Sequence, residues 1–258
     1  MPRPPRFFIS PDQVAEPQIT ISGEDVRHIR AVLRMKTGDE LLLCDGRGTE
    51  YTAKITGMDP SAINAEITSR SIKDIQYPRV TLGQGLPKSD KMDWIVQKAT
   101  ELGVAGIVPL ATERTIVKIR DEEKRIARWR KICREAAMQS SRPDIPMVEE
   151  IRTFTDFLRT LPAPSVCECS RERRANPEPR TLLLLPWEEG TEPIKNILRQ
   201  NTNAQNIIVL IGPEGGFSNA EAELATGRGF HAVSLGPNIL RTETAAVAAL
   251  SMIGYEFF

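Results

Sequence analysis

The sequence predicts a small β-barrel followed by a larger α/β domain built on a mostly parallel sheet. Three observations carry this reading. Up to about residue 70, short β-type runs are separated by turn residues at close spacing, the pattern of a small barrel. Beyond about residue 72, apolar strand-like runs alternate with helix-like stretches, which means βα units. Two of those runs, 207–211 (IIVLI) and 232–235 (AVSL), end at the same rigid step, Gly212-Pro213 and Gly236-Pro237, and helix-like sequence follows each.

The elements follow in order. Ser22 is a candidate N-cap for a helix over 23–35, where Val26, Ile29, Val32 and Leu33 form one apolar stripe. Strands are expected at 40–46, 49–58 and 62–70, punctuated by Gly38-Asp39, Gly46-Arg47-Gly48 and Asp59-Pro60. The boundary is expected near Ile75-Gln76-Tyr77-Pro78, giving domains 1–72 and 73–258. A strand at 80–87 then leads into an amphipathic helix at 90–103, with Trp94, Ile95, Lys98 and Leu102 at helical spacing and Gly103 as its stop. Strand 106–111, a charged helix at 121–140, strand 181–186, a short helix at 193–200, a helix from Asn219 and a final helix to 257 complete the pattern; His231 should begin a strand. Residues 162–180, rich in Arg and Pro, read as a loop.

Composition limits the function. The chain has 258 residues, enough to bury a core, and its 34 Lys+Arg are balanced by 34 Asp+Glu. Without a whole-molecule basic field, any nucleic-acid affinity must come from local patches. Cys44, Cys133, Cys167 and Cys169 include no CxxC pair and no matching His/Cys set, so reduced cytosolic thiols are expected, with no metal. The N-terminal MPRPPRFFISPD has no apolar signal core, and no apolar run reaches about 18 residues. A cytoplasmic protein is expected.

In open α/β sheets, ligands bind beyond the carboxyl ends of the strands, so both Gly-Pro turns should face one site. Neither matches G-x-G-x-x-G, and a P-loop, a G-x-S-x-G elbow and the glycine-rich loop of open-sheet methyltransferases are absent. His28 and His231 are too few for a histidine metal site.

The segments IGPEGGFSNAE (211–221) and LGPNILRTETAA (235–246) resemble the two signatures of the SPOUT class of RNA methyltransferases. Residues 28–48 resemble that family's PUA-like RNA-binding barrel, 88–110 the start of its catalytic domain, and QSSRPDIP (139–146) a further family segment. Together they resemble the bacterial enzymes that methylate ring nitrogen 3 of a uridine in 16S ribosomal RNA of the small subunit. The resemblance implies S-adenosylmethionine as donor, a C-terminal trefoil knot whose loops clasp that donor, and a homodimer with composite sites.

It also implies site residues. Arg241 is the first candidate to position the uracil or stabilise negative charge on its carbonyls. Glu243 and Glu214 could accept the N3 proton, or Glu243 could simply pair with Arg241 or cap the last helix. Backbone at Leu235, Gly236 and Leu240 should read the adenine, with Gly212 and Gly216 admitting the donor closely, so that a β-branched side chain at Gly212 would fill donor space. Leu184 should wall the pocket, and Leu210, Pro213, Gly215, Ile239, Thr244 and Ala245 should complete it. For RNA, the candidates are Arg6, His28, Arg30 and Arg34 in the first domain and Arg114 and Arg142 in the second. Residues 114–134 add nine basic residues against three acids, a run that could equally be a solvated face. Two other readings stay open: another reaction of the class, on a ribose 2′-hydroxyl or a tRNA base, and a non-catalytic RNA-binding assembly factor.

Overall fold

A computed structural model of the chain describes residues 4–72, 78–116, 121–161 and 180–257. Most of the expected boundary tetrapeptide, Lys118 and Arg120 of the basic run, and nearly all of the expected loop 162–180 with Cys167 and Cys169 lie outside the described residues. The chain forms two compact units, one of Met1–Gln76 with Arg134–Ile145 and one of Tyr77–Cys133 with Pro146–Phe258.

The first unit is a six-stranded sheet around an apolar core. Its strands are β1 (Arg6–Phe8), β2 (Val14–Ala15), β3 (Gln18–Ser22), β4 (Glu40–Cys44), β5 (Thr49–Met58) and β6 (Ala62–Ile72), in the order β1-β4-β5-β6-β3-β2. The β1–β4 pair is parallel and the others are antiparallel. Alternation along β5 and β6 sends Ala53, Ile55, Ile63 and Ala65 inward, where they meet Phe7, Ile19, Leu41 and Leu43. Register shifts at Thr52/Ala53 and Ile55/Gly57 bend the long hairpin, as bulges do.

The helix expected over 23–35 differs. It starts after Gly23, whose φ of 83° only glycine adopts freely, so Ser22 is the last residue of β3 instead of the cap. Only Glu24–Arg27 (α1) is α-helical, and His28–Val32 widens into a π-type turn. Wider turns rotate later side chains off the apolar face. Val26 and Ile29 are therefore buried, while Val32 and Leu33 are 66% and 40% exposed.

The second unit opens with β7 (Arg79–Gly85), α2 (Lys91–Glu101), β8 (Gly106–Ala111) and α3 (Glu122–Gln139). The part of α3 from Arg134 onward, and residues to Ile145, group with the first unit, although the sequence reading gave them to the second domain. Their side chains explain the grouping. Ala137 packs with Phe8 and Cys44 against Met138 and Ile145, and Arg134 donates to Phe8 O at 2.6 Å and to Asp25 at 3.0 Å.

After β9 (Met147–Val148) and β10 (Arg152–Thr153) come α4 (Phe154–Thr160), β11 (Thr181–Pro186), β12 (Glu192–Pro193), α5 (Ile194–Gln200), β13 (Asn206–Ile211), α6 (Asn219–Gly227), β14 (His231–Ser234) and α7 (Thr242–Phe257). The sheet order is β10-β8-β7-β13-β11-β14-β12, with β9 on β8, and every pair is parallel. A parallel sheet covered on both faces needs strands that are apolar throughout, hence the LLLL of β11 and the IIVLI of β13. The chain runs from β7 outward to β8 and later returns to place β13 between β7 and β11. All strands being parallel, their carboxyl ends share one edge of the sheet. Trp94, expected on the buried stripe of α2, is 43% exposed. The core face of α2 is instead built from Met92, Ile95, Val96 and Ala99.

Candidate functional site

Four strand ends converge on that edge. β11 runs into Pro186-Trp187, β13 into Gly212-Pro213, β14 into Leu235-Gly236-Pro237, and β7 ends at Gln84-Gly85 beneath them. The first three enclose a cavity of about 420 Å³ that continues to Arg241 and the start of α7, a volume within the range of small-molecule sites. Ten of the residues proposed from the sequence line it. Gly212, Pro213, Glu214 and Gly216 come from the first Gly-Pro loop, and Leu235, Gly236, Ile239, Leu240, Arg241 and Ala245 from the second and the helix after it.

Five proposed residues do not line the cavity. Leu184 and Leu210 are fully buried in the sheet, Leu184 paired with Val209 and His231. The wall expected of Leu184 is made two residues later by Pro186 and Trp187. Gly215 turns toward Arg114, whose guanidinium donates to Gly215 O at 2.7 Å. Thr244 is exposed outside the lining, and Glu243 reaches the site only through Lys91.

The two Gly-Pro turns use glycine for different reasons. At Gly212 a Cβ would meet the backbone of Gly216 at 2.9 Å and the N of Phe217 at 3.1 Å. The glycine is needed for the loop to close on itself, which corrects the expectation that a side chain there would mainly fill ligand space. Gly236 has open space around it, but its φ of 135° disfavours any side chain.

A buried network, not foreseen from the sequence, joins these loops from below. Gln84, wholly buried on β7, donates through Nε2 to Gly85 O and to Thr242 Oγ1, both at 2.9 Å. Thr242 Oγ1 in turn donates to Gly212 O at 2.6 Å. One side chain thus links the carbonyl of the first loop to the first residue of α7. Gln84→Met keeps the shape but strips the donors, and is expected to destabilise the second unit by about 1–3 kcal/mol. Urea unfolding checks this.

At the upper side, Lys91 Nζ lies 3.1 Å from Glu214 Oε1 and 3.3 Å from Glu243 Oε2. Glu214 also accepts from the Lys88 backbone N–H at 3.1 Å. Burial works against ionising Glu214, but its own backbone N–H, Lys91 and the Lys88 N–H outweigh it and hold the carboxyl below the usual range. The hydrogen bond to Glu214, assisted by Glu243, keeps Lys91 above the ordinary lysine value. The alternative pairing of Glu243 with Arg241 does not form. Arg241 is exposed, and its side chain has no hydrogen bond or ion pair among the described residues. The cavity therefore offers one uncommitted guanidinium, while Lys91 in its lining ties Glu214 to Glu243, which lies outside the lining.

The proposed RNA residues divide. His28, Arg30 and Arg34 are exposed on the first unit, with His28 edge-on to Phe7 and Arg30 donating to Asp59 O at 3.2 Å. Arg6 and Arg142 are internal ties instead. Arg6 is 13% exposed, pairs with Glu50 at 2.7 Å and donates to Arg142 O at 2.8 Å. Arg142 is 12% exposed and paired with Asp144 at 2.8 Å. In the basic run, Arg128 pairs with Asp93, Arg130 with Glu150 and Arg134 with Asp25, so much of its charge is neutralised locally. Among the described residues, no helix is long and apolar enough to cross a membrane, and no group of three His, Cys, Asp or Glu could hold a metal ion.

Known proteins agree with this geometry. The RNA methyltransferase domain matches residues 75–254, and the RNA methyltransferase PUA domain matches residues 21–68. The chain is 32% identical to the ribosomal RNA small subunit methyltransferase E of Bacillus subtilis, over 97% of this chain and 96% of that one. It is 34% identical to the protein of the same name from Aquifex aeolicus, over 95% and 97%. Among solved structures, the ribosomal RNA small subunit methyltransferase E of Neisseria gonorrhoeae, bound to S-adenosyl methionine, superposes with a TM-score of 0.81 at 31% identity, over 98% of both chains.

Proposed function

The chain belongs to the RNA methyltransferase family, and from that premise we propose that it methylates ring nitrogen 3 of one specific uridine in 16S rRNA of the small ribosomal subunit, with S-adenosylmethionine as donor. The donor's name comes from a relative of the same length and fold, crystallised with it. The residues present fit such a group. Trp187, Phe217 and Leu240 give the cavity apolar walls for an adenine, the two glycine loops bring backbone to its edge, and Glu188 and Glu214 suit the cationic end of a sulfonium amino acid. When bound, this group supplies an electrophilic methyl.

The observation that carries the reading is Arg241, unpaired at the mouth of the cavity. Methyl transfer to N3 needs the uracil held in line and its ring deprotonated. A guanidinium against a uracil carbonyl does both, since it fixes the ring and favours the anion. Glu214 is a poor base, because its ligands favour the ionised form. The proton is then lost to solvent, or through water to Glu243. The exposed His28, Arg30 and Arg34 hold the phosphate backbone in register without reading its sequence. The protein works as a homodimer in the cytoplasm.

The test incubates purified small subunits with the protein and labelled donor, then digests the rRNA to nucleosides. The expected product is 3-methyluridine. Label in a 2′-O-methyl nucleoside, or only in tRNA, would replace this reading by another reaction of the class. Donor binding without transfer to any RNA would favour an assembly factor.

A further inference from the structure

We propose that Lys91 is a positioning residue of the transfer site, bridging Glu214 and Glu243 so that the two Gly-Pro loops hold one fixed register around the donor. The inference rests on the reading of the cavity as a donor site. Its observations are independent of that reading. Glu214 belongs to the loop after β13, and Glu243 to the first turn of α7, after the loop of β14. They lie 29 positions apart in sequence, and the Lys91 ammonium is within 3.3 Å of both.

The placement of this lysine is unfavourable locally. Lys91 is the first residue of α2, where a cation opposes the helix dipole. The two carboxylates reverse that cost. Glu243 Oε2 is buried, and the ammonium is its only charged neighbour at ion-pair distance among the described residues. Removing Lys91 leaves that oxygen buried and uncompensated, beside a second carboxylate still held by the Lys88 N–H but no longer linked to it. The loops would separate at this edge, while the Gln84–Thr242–Gly212 link below still holds them together. The expected change is thus loss of register at the cavity without loss of the fold.

Calorimetry with S-adenosylmethionine on the full chain tests this, together with melting curves and donor and rRNA KM values. Lys91→Met should weaken donor binding on the order of tenfold, which is about 1.4 kcal/mol. The donor KM should rise, the rRNA KM should stay unchanged, and the protein should stay folded with only a modest fall in melting temperature from the orphaned Glu243 oxygen. Lys91→Arg, which preserves the bridge, should recover most of the affinity. Should Lys91→Met fold poorly, Glu214→Gln combined with Glu243→Gln removes the same bridge and should reproduce the loss. Wild-type donor affinity in the Lys91→Met protein, or in that double variant, overturns the proposal, as does a loss that tracks melting temperature and is not rescued by arginine. A wild-type protein that binds no donor would instead refute the underlying reading of the cavity.

Discussion

Arg241→Ala is expected to lower single-turnover methylation of small subunits by about a hundredfold, or about 3 kcal/mol, the typical loss of one transition-state donor. Donor affinity by calorimetry and the melting temperature should stay unchanged. The expectation follows from what Arg241 lacks. Its guanidinium lines the cavity yet braces nothing among the described residues. Glu243, the partner it would need for a structural role, is held by Lys91. Removing Arg241 therefore orphans no carboxylate, and the cost should fall on the reaction alone. Arg241→Lys should recover only part of the rate, because the charge returns without the planar pair of donors. A fall in melting temperature and donor affinity together would make Arg241 a brace after all, and a normal rate would remove it from the site.

The features that could be read in the sequence are those set by local chemistry. The Gly-Pro steps after β13 and β14 stood out because proline and glycine end a strand wherever they occur, and the apolar runs before them are short and unbroken. The helix start at Asn219 was equally local, since Ser218 and Glu221 form a capping box with each other. Contacts between distant residues were not legible. Arg6 and Arg142 looked like free cations because Glu50 and Asp144 find them only through the fold of the first unit. Lys91 looked like one more surface charge on an amphipathic helix, and the sequence separation of 126 between Lys88 and Glu214 hides the contact that makes this edge part of the site. Leu184 failed for a different reason. Within an all-apolar strand nothing in the sequence marks which residue is the last inside the sheet, so a wall assigned to Leu184 fell instead to Pro186 and Trp187.

Gly85 shows the same blindness with the largest structural consequence. Nothing around it in TLGQGLP suggests that it must be glycine, and its φ is not in the left-handed region. In the fold, a Cβ at Gly85 would lie 2.7 Å from Pro213 N, 2.6 Å from Pro213 Cδ and 3.0 Å from Gly212 C. Two of those three atoms are backbone and the third is in a rigid ring, so no side-chain rotation can relieve the overlap. The first Gly-Pro loop passes directly over β7, and only a glycine there lets it lie that low. Gly85→Ala is therefore expected to lift the loop, break the Gln84–Thr242–Gly212 link and abolish measurable donor binding by calorimetry. Overpacking of this kind costs about 1–3 kcal/mol, so urea unfolding of the second unit should shift by that much while the first unit keeps its barrel. Gly227→Ala is the control, since nothing lies within 4 Å of a Cβ at that position on α6, and it should leave both readouts unchanged. Donor binding that survives in Gly85→Ala would mean that the loop can be raised without harm, and that its low path over β7 does not shape the cavity.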